Sequence, residues 1–335
     1  MKFQYSITEK NAWRKLDFFS IALLATFIWL SMPTQAVGKA LPKCLYIASY
    51  HNDQPWTNTI GKSIRAVLKG KCEVKQFDMD TKRNPDPGFG RQKALEAKAL
   101  IESWKPDIVI ASDDNASKYL IKPYFKNAKL PFVFCGLNAL PQEYGYPYSN
   151  VTGMLEFLPI RTTIKQIKRI LPDVETAACF RANDSSSEKI CNRYKEIYKR
   201  FGINIKLVTV NSMNDFEKEL LEAQKSDFII VANVVYLTDW DIDRVKEILL
   251  RQSKKLTVGF SKNATDHVML SFAQAAEEQG EYAALTALKI LEGTRPVEIP
   301  IIPNYRWNLY INEPLLKKAG TKLPRDLIQK AIKVK

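Results

Sequence analysis

Two short apolar runs in the first half of the sequence each end in small and polar residues. The runs, Asp107–Ala111 and Pro131–Cys135, are rich in Ile, Val and Phe, which is typical of strands buried on both faces of a parallel sheet. The carboxyl ends of such strands, with the N-termini of the helices that follow, form the edge where ligands bind. We therefore expect the polar residues after both runs to form the floor of a binding cleft; they are Ser112, Asp113, Asp114, Asn115 and Asn138.

These residue types do not favour catalysis. Nucleophilic hydrolysis needs a Ser or Cys beside an oriented His, and neither of the two histidines, His51 and His267, lies in a G-x-S-x-G or metal-binding pattern. Asp113 and Asp114 could act as general acid and base, but adjacent residues project differently, so a helix cap and a hydrogen-bond acceptor are the simpler interpretation. No glycine-rich phosphate-binding motif follows the first predicted strand. We predict a binding protein with no catalytic residue, cofactor or metal.

The segments that would position these residues alternate between strand and helix. Four apolar runs of strand length alternate with amphipathic segments from residue 43 to residue 138, and the alternation resumes after a loop rich in Pro, Tyr and Gly at 141–149. An Ala-rich helix is predicted at 274–292 and a long extended stretch at 296–310. The pattern predicts an α/β fold with two units, each built on a parallel sheet.

The N-terminus has the layout of a secretory signal. Basic residues precede a run of thirteen mostly apolar residues at 18–30, which is shorter than the about 20 apolar residues that cross a membrane. We expect residues 1–36 to be a signal peptide, cleaved after Ala36 or a few residues later at Ala40. The mature chain would then be periplasmic or otherwise extracytoplasmic. An uncleaved membrane anchor is the alternative.

Export permits disulfides among the five cysteines. If the first two strands are parallel neighbours, Cys44 and Cys72 meet at one end of the sheet, and we expect a disulfide between them. Cys179 at the end of a later strand and Cys191 on the following helix form a second candidate pair. Cys135 is left over, and no pair has the C-x₂-C spacing of a zinc site.

The formal net charge is +14. The basic residues are scattered over helical faces, and no nucleic-acid-binding motif is recognisable. We therefore predict a solvated basic surface and no nucleic-acid partner.

Seven segments match a known family in their order and spacing over residues 43–330. They are SYHNDQPWT (49–57), WKPDIVIASDDNASKY (104–119), LPFVFCGLN (130–138), NVTGMLEFLP (150–159), ILPDVETAACF (170–180), ALKILEGTRPVEIPI (287–301) and YINEPLLKKAGTKLP (310–324). Through them the chain resembles the ABC-transporter substrate-binding family of type I periplasmic binding proteins, which includes tryptophan-type binding components. The resemblance implies two Rossmann-like lobes, joined by three crossovers, with the ligand held between them.

We expect each lobe to be discontinuous, because the layout is doubled and a late extended stretch can serve as a crossover. The N-terminal lobe is predicted to contain residues 43–152 and 272–297. The C-terminal lobe is predicted to contain residues 153–271 and 298–335.

The resemblance also implies that ligand contacts come from the strand-end loops of both lobes. In the first lobe, Tyr50, His51 and Trp56 would join the floor residues. Asp113 and Asp114 stand where relatives commonly have small residues, which disfavours an anionic ligand group nearby and favours an amine or hydroxyls. The contacts implied in the second lobe are Asn183, Asp184, Ser185, Asn233, Tyr236, Ser261 and Asn263.

The function that the resemblance implies is that of a solute-binding protein that delivers its ligand to the permease of an ABC transporter. The polar lining, with Tyr50 and Trp56 as candidate walls, favours an amino acid or a close derivative, and after that a nucleoside-like or heterocyclic compound. A sensor that feeds a membrane receptor or a histidine kinase is the alternative, since lobe closure serves both roles. We expect a monomer whose partners are a small-molecule ligand and the permease.

Overall fold

The fold is described from a computed structural model that covers residues 40–183, 185–231, 237 and 239–334, without the side chains of 185–187, 189, 190 and 263. The predicted export signal lies outside these residues. Pro42–Lys335 form one compact unit. Within the described part of the chain, none of the helices is both long and apolar enough to span a membrane.

Strands and helices alternate from Lys43 onward, as the sequence predicts. The first elements are β1 (Lys43–Ala48), α1 (Pro55–Leu68), β2 (Glu73–Asp78), α2 (Pro87–Trp104), β3 (Ile108–Ser112), α3 (Asp113–Ala116), β4 (Phe132–Leu137) and β5 (Val151–Leu155). A π-helical turn at Ser117–Ile121 and a further turn at Lys122–Tyr124 continue α3. The sequence predicts a short helix around 115–122, ended by Pro123, whereas the observed helix starts earlier, at Asp113.

The alternation continues through the rest of the chain. The next elements are α4 (Ile160–Ile170), β6 (Thr176–Ala182), α5 (Ser185–Lys199), β7 (Asn204–Val210), α6 (Met213–Ala223), β8 (Phe228–Val231), α7 (Ile242–Gln252), β9 (Leu256–Gly259), β10 (Leu270–Gln274) and α8 (Ala276–Leu291). The last are β11 (Ile302–Pro303), β12 (Trp307–Asn312), α9 (Glu313–Ala319), α10 (Arg325–Lys330) and β13 (Ile332–Val334).

Three features of this second part differ from the sequence-based prediction. The sequence predicts strands at 176–180, 204–210, 227–232 and 256–260 and a small terminal helix at 324–332, so β10 and β13 are absent from the prediction. The stretch at 296–310 is not one extended segment, since it contains a 3₁₀ turn at Pro296–Glu298 and then the separate strands β11 and β12.

The strands form two sheets with the same order about their centres. The first sheet has the order β11-β5-β4-β3-β1-β2, and all its pairs are parallel. The second has the order β13-β12-β10-β9-β8-β6-β7, with an antiparallel pairing between β10 and β12. The predicted α/β class with two parallel-dominated sheets is therefore confirmed. We call the six-stranded sheet with its packed helices the first lobe and the seven-stranded sheet with its packed helices the second lobe.

Helices cover both faces of the first sheet, so every residue of β3 and β4 is buried. Helices α1 and α8 contribute to the core on one face, and α2 and α3 to the core on the other. The Ala-rich α8 lies close against α1: a Cβ atom at Gly280 would be 2.4 Å from the Ile60 carbonyl oxygen, so only glycine permits this approach. The predicted limits of the two lobes remain a prediction.

Three segments connect the lobes: residues 156–159 after β5, Ala275 between β10 and α8, and residues 304–306 between β11 and β12. We call them the first, second and third crossover.

The two candidate cysteine pairs lie in different lobes. Cys44 and Cys72, at the amino ends of the neighbouring strands β1 and β2, form a disulfide with their Cα atoms 6.0 Å apart. In the second lobe, the Sγ atoms of Cys179 and Cys191 lie 3.0 Å apart. Cys135 is buried in β4.

Candidate functional site

The order of the first sheet reverses between β1 and β3, and the predicted floor residues lie at the carboxyl end of this pair. Ser49 ties the two strand ends together, because its backbone N–H and its Oγ–H both donate to the Ser112 carbonyl, at 3.3 and 2.6 Å. The Ser49 hydroxyl oxygen in turn accepts from the Ala116 N–H at 2.8 Å. A crevice at such a switch point is where open α/β sheets bind ligands.

Asp113, the first residue of α3, is buried at this edge and has an unfilled acceptor. Its side chain is 2% exposed. Trp56 Nε1–H donates to Oδ1 at 3.0 Å, whereas Oδ2 is buried with no hydrogen-bond partner among the described residues. The backbone φ of Asp113 is +66°, a left-handed conformation that costs a non-glycine residue about 1–3 kcal/mol. An unsatisfied oxygen on a strained residue is characteristic of functional sites.

The environment of Asp113 favours its protonated form. Burial raises the pKa of Asp113 to about 7, and the neighbouring Asp114 carboxylate acts in the same direction. The Ser112 hydroxyl, the Trp56 indole and the Lys82 ammonium beside this carboxyl group lower its pKa but do not overcome burial. Gly136 permits the close packing, because a Cβ there would lie 3.3 Å from Asp113 Oδ1, and its φ is +68°.

Asp114 has a different role from its neighbour. Its Oδ2 accepts from the Asn138 N–H at 3.2 Å, and its Oδ1 accepts from the Ala139 N–H at 3.1 Å and from the Tyr144 hydroxyl at 2.7 Å. These donors all belong to the segment that follows β4. Asp114 therefore anchors that segment to the start of α3, and its contact with a ligand remains a prediction.

Glu156, which sequence reasoning missed, is a second carboxyl group beside Asp113. It directly follows β5 and is half-buried, and its Oε2 accepts from Asn138 Nδ2–H at 3.2 Å. Burial and the nearby Asp113 hold the pKa of Glu156 well above its usual value. The sequence predicts a crossing strand at 151–156 that includes this residue, and its position at the end of a buried strand is the signal that points to a site role.

The other residues predicted for this edge lie around the carboxyl groups and contact protein groups. Ser112 Oγ lies 3.0 Å from the Tyr46 hydroxyl, and Asn115 Nδ2–H donates to Thr81 Oγ1 at 2.8 Å. His51 Nδ1 lies 3.2 Å from Asp80 Oδ1. The Tyr50 ring lies beneath Lys82 Nζ, 5.4 Å from its centroid.

In the second lobe, the predicted residues whose side chains the structure describes, Asn183 and Ser261, each contact a protein group close to its own strand end. Asn183, after β6, is exposed and donates from Nδ2 to Asn211 Oδ1 at 3.0 Å. Ser261 accepts at Oγ from the Ala264 N–H at 3.2 Å and so caps a 3₁₀ turn. Ser185 begins α5 and Asn263 lies in that 3₁₀ turn, but their side chains are not described. The residues outside the described chain are Asp184, Asn233 and Tyr236.

The polar groups that the structure adds in the second lobe are basic. Arg181, near the end of β6, has a buried Nε without a partner among the described residues, and its Nη2 lies 4.0 Å from Glu188 Oε1. His267 is 1% exposed, and burial lowers its pKa to about 4. The Trp240 ring packs edge-on against this imidazole at 5.5 Å, so Trp240 is a packing residue.

A buried side chain at the start of α8 connects the first-lobe edge to the first crossover. Gln279 accepts at Oε1 from the Gly136 N–H at 2.8 Å and donates from Nε2 to the Leu155 carbonyl at 3.1 Å. Gly136 packs against Asp113, and Leu155 ends β5. The residue therefore bridges the site and the point where the chain leaves the lobe.

The third crossover is held in the same way. Glu278 accepts from the Tyr305 N–H at 3.0 Å and from the Arg306 N–H at 2.7 Å. Asn304 accepts at Oδ1 from the Phe157 N–H at 2.7 Å, which joins the third crossover to the first. All three crossovers are thus hydrogen-bonded to one another or to α8.

The arrangement is suited to holding a ligand by hydrogen bonds and charge. Among the described residues, no group of three or more His, Cys, Asp and Glu side chains could hold a metal ion. The carboxyl groups of Asp113, Asp114 and Glu156 gather at the carboxyl ends of the first-sheet strands, where Trp56 also lies.

Comparisons with known proteins agree with the geometry. The model of a family described as ABC transporter substrate binding protein matches residues 59–335. No curated protein matches the chain in sequence.

Several solved structures share the fold at low identity. The ABC domain in complex with L-Trp from Streptococcus pneumoniae is 17% identical, with 88% of this chain and 100% of that chain covered and a TM-score of 0.58. The ligand-free, open structure of a substrate binding protein with adhesive properties from Clostridium difficile is 15% identical, with 88% and 99% covered and a TM-score of 0.72. A periplasmic ribose ABC transporter protein from Conexibacter woesei is 17% identical, with 84% and 96% covered and a TM-score of 0.58.

Proposed function

Because the chain belongs to the ABC transporter substrate binding protein family, we propose that it captures a small polar solute between its two lobes and delivers it to the permease of an ABC transporter. The family match over residues 59–335 carries the proposal, since it includes strands of both sheets and all three crossovers. Substrate-binding proteins of ABC transporters act outside the cytoplasm. We accordingly propose that residues 1–36 direct export and that the mature protein acts as a monomer.

An amino acid or a close derivative is the proposed ligand. The carboxyl groups of Asp113 and Glu156 favour a ligand that donates hydrogen bonds, and the Trp56 indole beside them favours one with an apolar or aromatic part. The pneumococcal protein of the same fold is bound to L-Trp, which adds support. A nucleoside-like or heterocyclic compound is the second choice.

A thermal-shift screen over amino acids, nucleosides, sugars and polyamines tests this function. A ligand that binds only the folded protein adds RT ln(1 + [L]/Kd) to its stability, about 2.7 kcal/mol at a hundredfold excess over Kd. We expect amino acids or related amines to raise the melting temperature. The ligand class is wrong if only sugars or simple anions do so, and solute binding itself is in question if no compound does.

A further inference from the structure

We propose that Asp113 and Glu156 form a subsite that binds a cationic nitrogen of the ligand, as an ammonium or guanidinium group. The inference rests on the proposed solute-binding function and makes it more specific. It also replaces the pair of adjacent carboxylates expected from the sequence with a pair drawn from two different strand ends.

Asp113 supplies an acceptor that the protein itself leaves unfilled. Its Oδ1 accepts from Trp56, but its Oδ2 is buried and receives no donor from the described residues. Buried carboxyl oxygens in folded proteins are nearly always hydrogen-bonded, because removing them from water without a partner is unfavourable. A ligand that donates from a positively charged nitrogen would satisfy this oxygen and its charge together.

Glu156 provides the second carboxyl group, and its side chain is more exposed than that of Asp113. It is half-buried and receives one hydrogen bond, from Asn138 Nδ2 at 3.2 Å. Asn138 Nδ2 also donates to the Gly136 carbonyl at 3.4 Å, and Gly136 packs against Asp113, so Asn138 and Gly136 connect the two carboxyl groups. After burial, the charge of Asp113 is the next cause that raises the pKa of Glu156. A cation between two such carboxyls removes that repulsion.

The remaining groups that face Asp113 leave this edge with an excess of acid. Asp114 adds a further carboxylate, but protein donors already occupy both of its oxygens. Lys82 is the facing cation; its side chain is exposed and lies over the Tyr50 ring. Two further facing groups remain neutral near neutral pH, because burial holds the pKa well above its ordinary value for both Cys135 and Tyr46.

The geometry has a consequence for the pH dependence of binding. A cation binds the ionised carboxyl more tightly, so a proton on Asp113 must leave when the ligand enters. Because the pKa of Asp113 lies at about 7, raising the pH from 6 to 8 should increase the affinity for an ammonium ligand about tenfold. Replacement of Asp113 by Asn should remove the contribution of Asp113 to this dependence and leave that of Glu156.

The test is calorimetric titration of the intact chain and of the variants Asp113→Asn and Glu156→Gln. The probes are L-amino acids, tryptamine and spermidine, each beside its N-acetylated form, with adenosine and ribose as ligands without a cationic nitrogen. Glu102→Gln, at an exposed position of α2, is the control, because it makes the same Glu-to-Gln change away from the site. We expect at least one free amine to bind, its N-acetylated form to bind at least tenfold more weakly, and each site variant to lose at least tenfold in affinity.

Other outcomes separate this inference from the function on which it rests. If adenosine or ribose binds and no amine does, solute binding stands and the cationic subsite is wrong. The same conclusion follows if an amine binds equally well to wild type and to Asp113→Asn. If none of the probes binds, the proposed function fails and the subsite with it. Thermal unfolding of each variant without ligand checks the fold, and Asp113→Asn should be at least as stable as wild type because it removes a buried acid.

Discussion

The two lobes share one strand order about their switch points, β2-β1-β3-β4-β5 in the first and β7-β6-β8-β9-β10 in the second, yet they bury opposite kinds of ionisable group. In the first lobe the buried group is an acid, Asp113, whose pKa is raised to about 7. In the second it is a base, His267, whose pKa is lowered to about 4. Burial disfavours the charged form in both cases. The same cause therefore gives the two lobes opposite responses to pH.

The largest expected effect is in the first lobe. An unfolded Asp ionises near 3.8, whereas folded Asp113 keeps its proton to about 7. Raising the pH through this window therefore destabilises the folded state, by at most about 4 kcal/mol. The variant Asp113→Asn should lack this loss, so its advantage over wild type in urea unfolding should grow from pH 4 to pH 8. A difference that is constant with pH would contradict the buried-acid interpretation.

The second lobe should show the reverse sign. Below pH 6.5 the unfolded chain protonates its imidazole, whereas folded His267 stays neutral down to about pH 4. Stability is therefore present above 6.5 and is lost as the pH falls, by at most about 3 kcal/mol. The variant His267→Phe, which keeps a ring against Trp240, should be less sensitive to acid in the same unfolding assay. Asp113→Asn serves as the matched control, since it should retain the acid sensitivity.

The two effects overlap between about pH 4 and 6.5, so the wild-type profile should be flatter there than that of either variant. Because the two pH dependences partly cancel in wild type, each single variant should show the pH dependence that the buried group of the other lobe contributes. A double variant should lack both contributions.

A smaller effect is expected at Asp114. Its carboxylate accepts from two backbone N–H groups and from the Tyr144 hydroxyl, and their loss in Asp114→Ala should cost about 2 kcal/mol. Asp114→Asn keeps an acceptor oxygen and should cost less. Limited proteolysis would locate the change, since cleavage should increase within 138–144 in the Ala variant and remain near wild type in the Asn variant.

The smallest effect is expected at the second-lobe edge. Asn183 is exposed and its described partner is Asn211, so Asn183→Ala should change the free energy of unfolding by less than about 0.5 kcal/mol. A large loss of stability would show that this edge is as tightly organised as that of the first lobe. A loss of ligand affinity at unchanged stability would instead support its predicted ligand contact.

The sequence predicts the layout well because buried parallel strands have a local signature. Continuous apolar runs mark β3 and β4, and polar residues mark their carboxyl ends. Strand β10 is missed because its run, LSFAQ, continues directly into the helix α8 without a turn signal. The observed bounds of the predicted helices and strands differ from the predicted bounds by only a few residues, as at the start of α3.

The site is less predictable because its chemistry depends on backbone direction and on contacts between distant segments. Asp113 and Asp114 are adjacent and identical, but the left-handed φ of Asp113 turns one carboxyl toward Trp56 while the other reaches the segment after β4. Glu156 follows β5 and comes close to Asp113, which follows β3, only because both strands pair with β4. Such placements arise from tertiary structure, which no spacing in the sequence encodes.

The hydrogen bonds made by Glu278 and Gln279 also constrain how the two lobes can move. Consecutive residues of one helix hold the third crossover and Leu155, the residue just before the first crossover, and the second crossover leads directly into that helix. We expect three connections that are fastened at one place to act as a single pivot, because a twist or a slide would have to break bonds of 2.7–3.1 Å that a simple rotation can keep. We therefore expect lobe closure to follow one axis, with Gln279 linking that axis to the candidate site through Gly136.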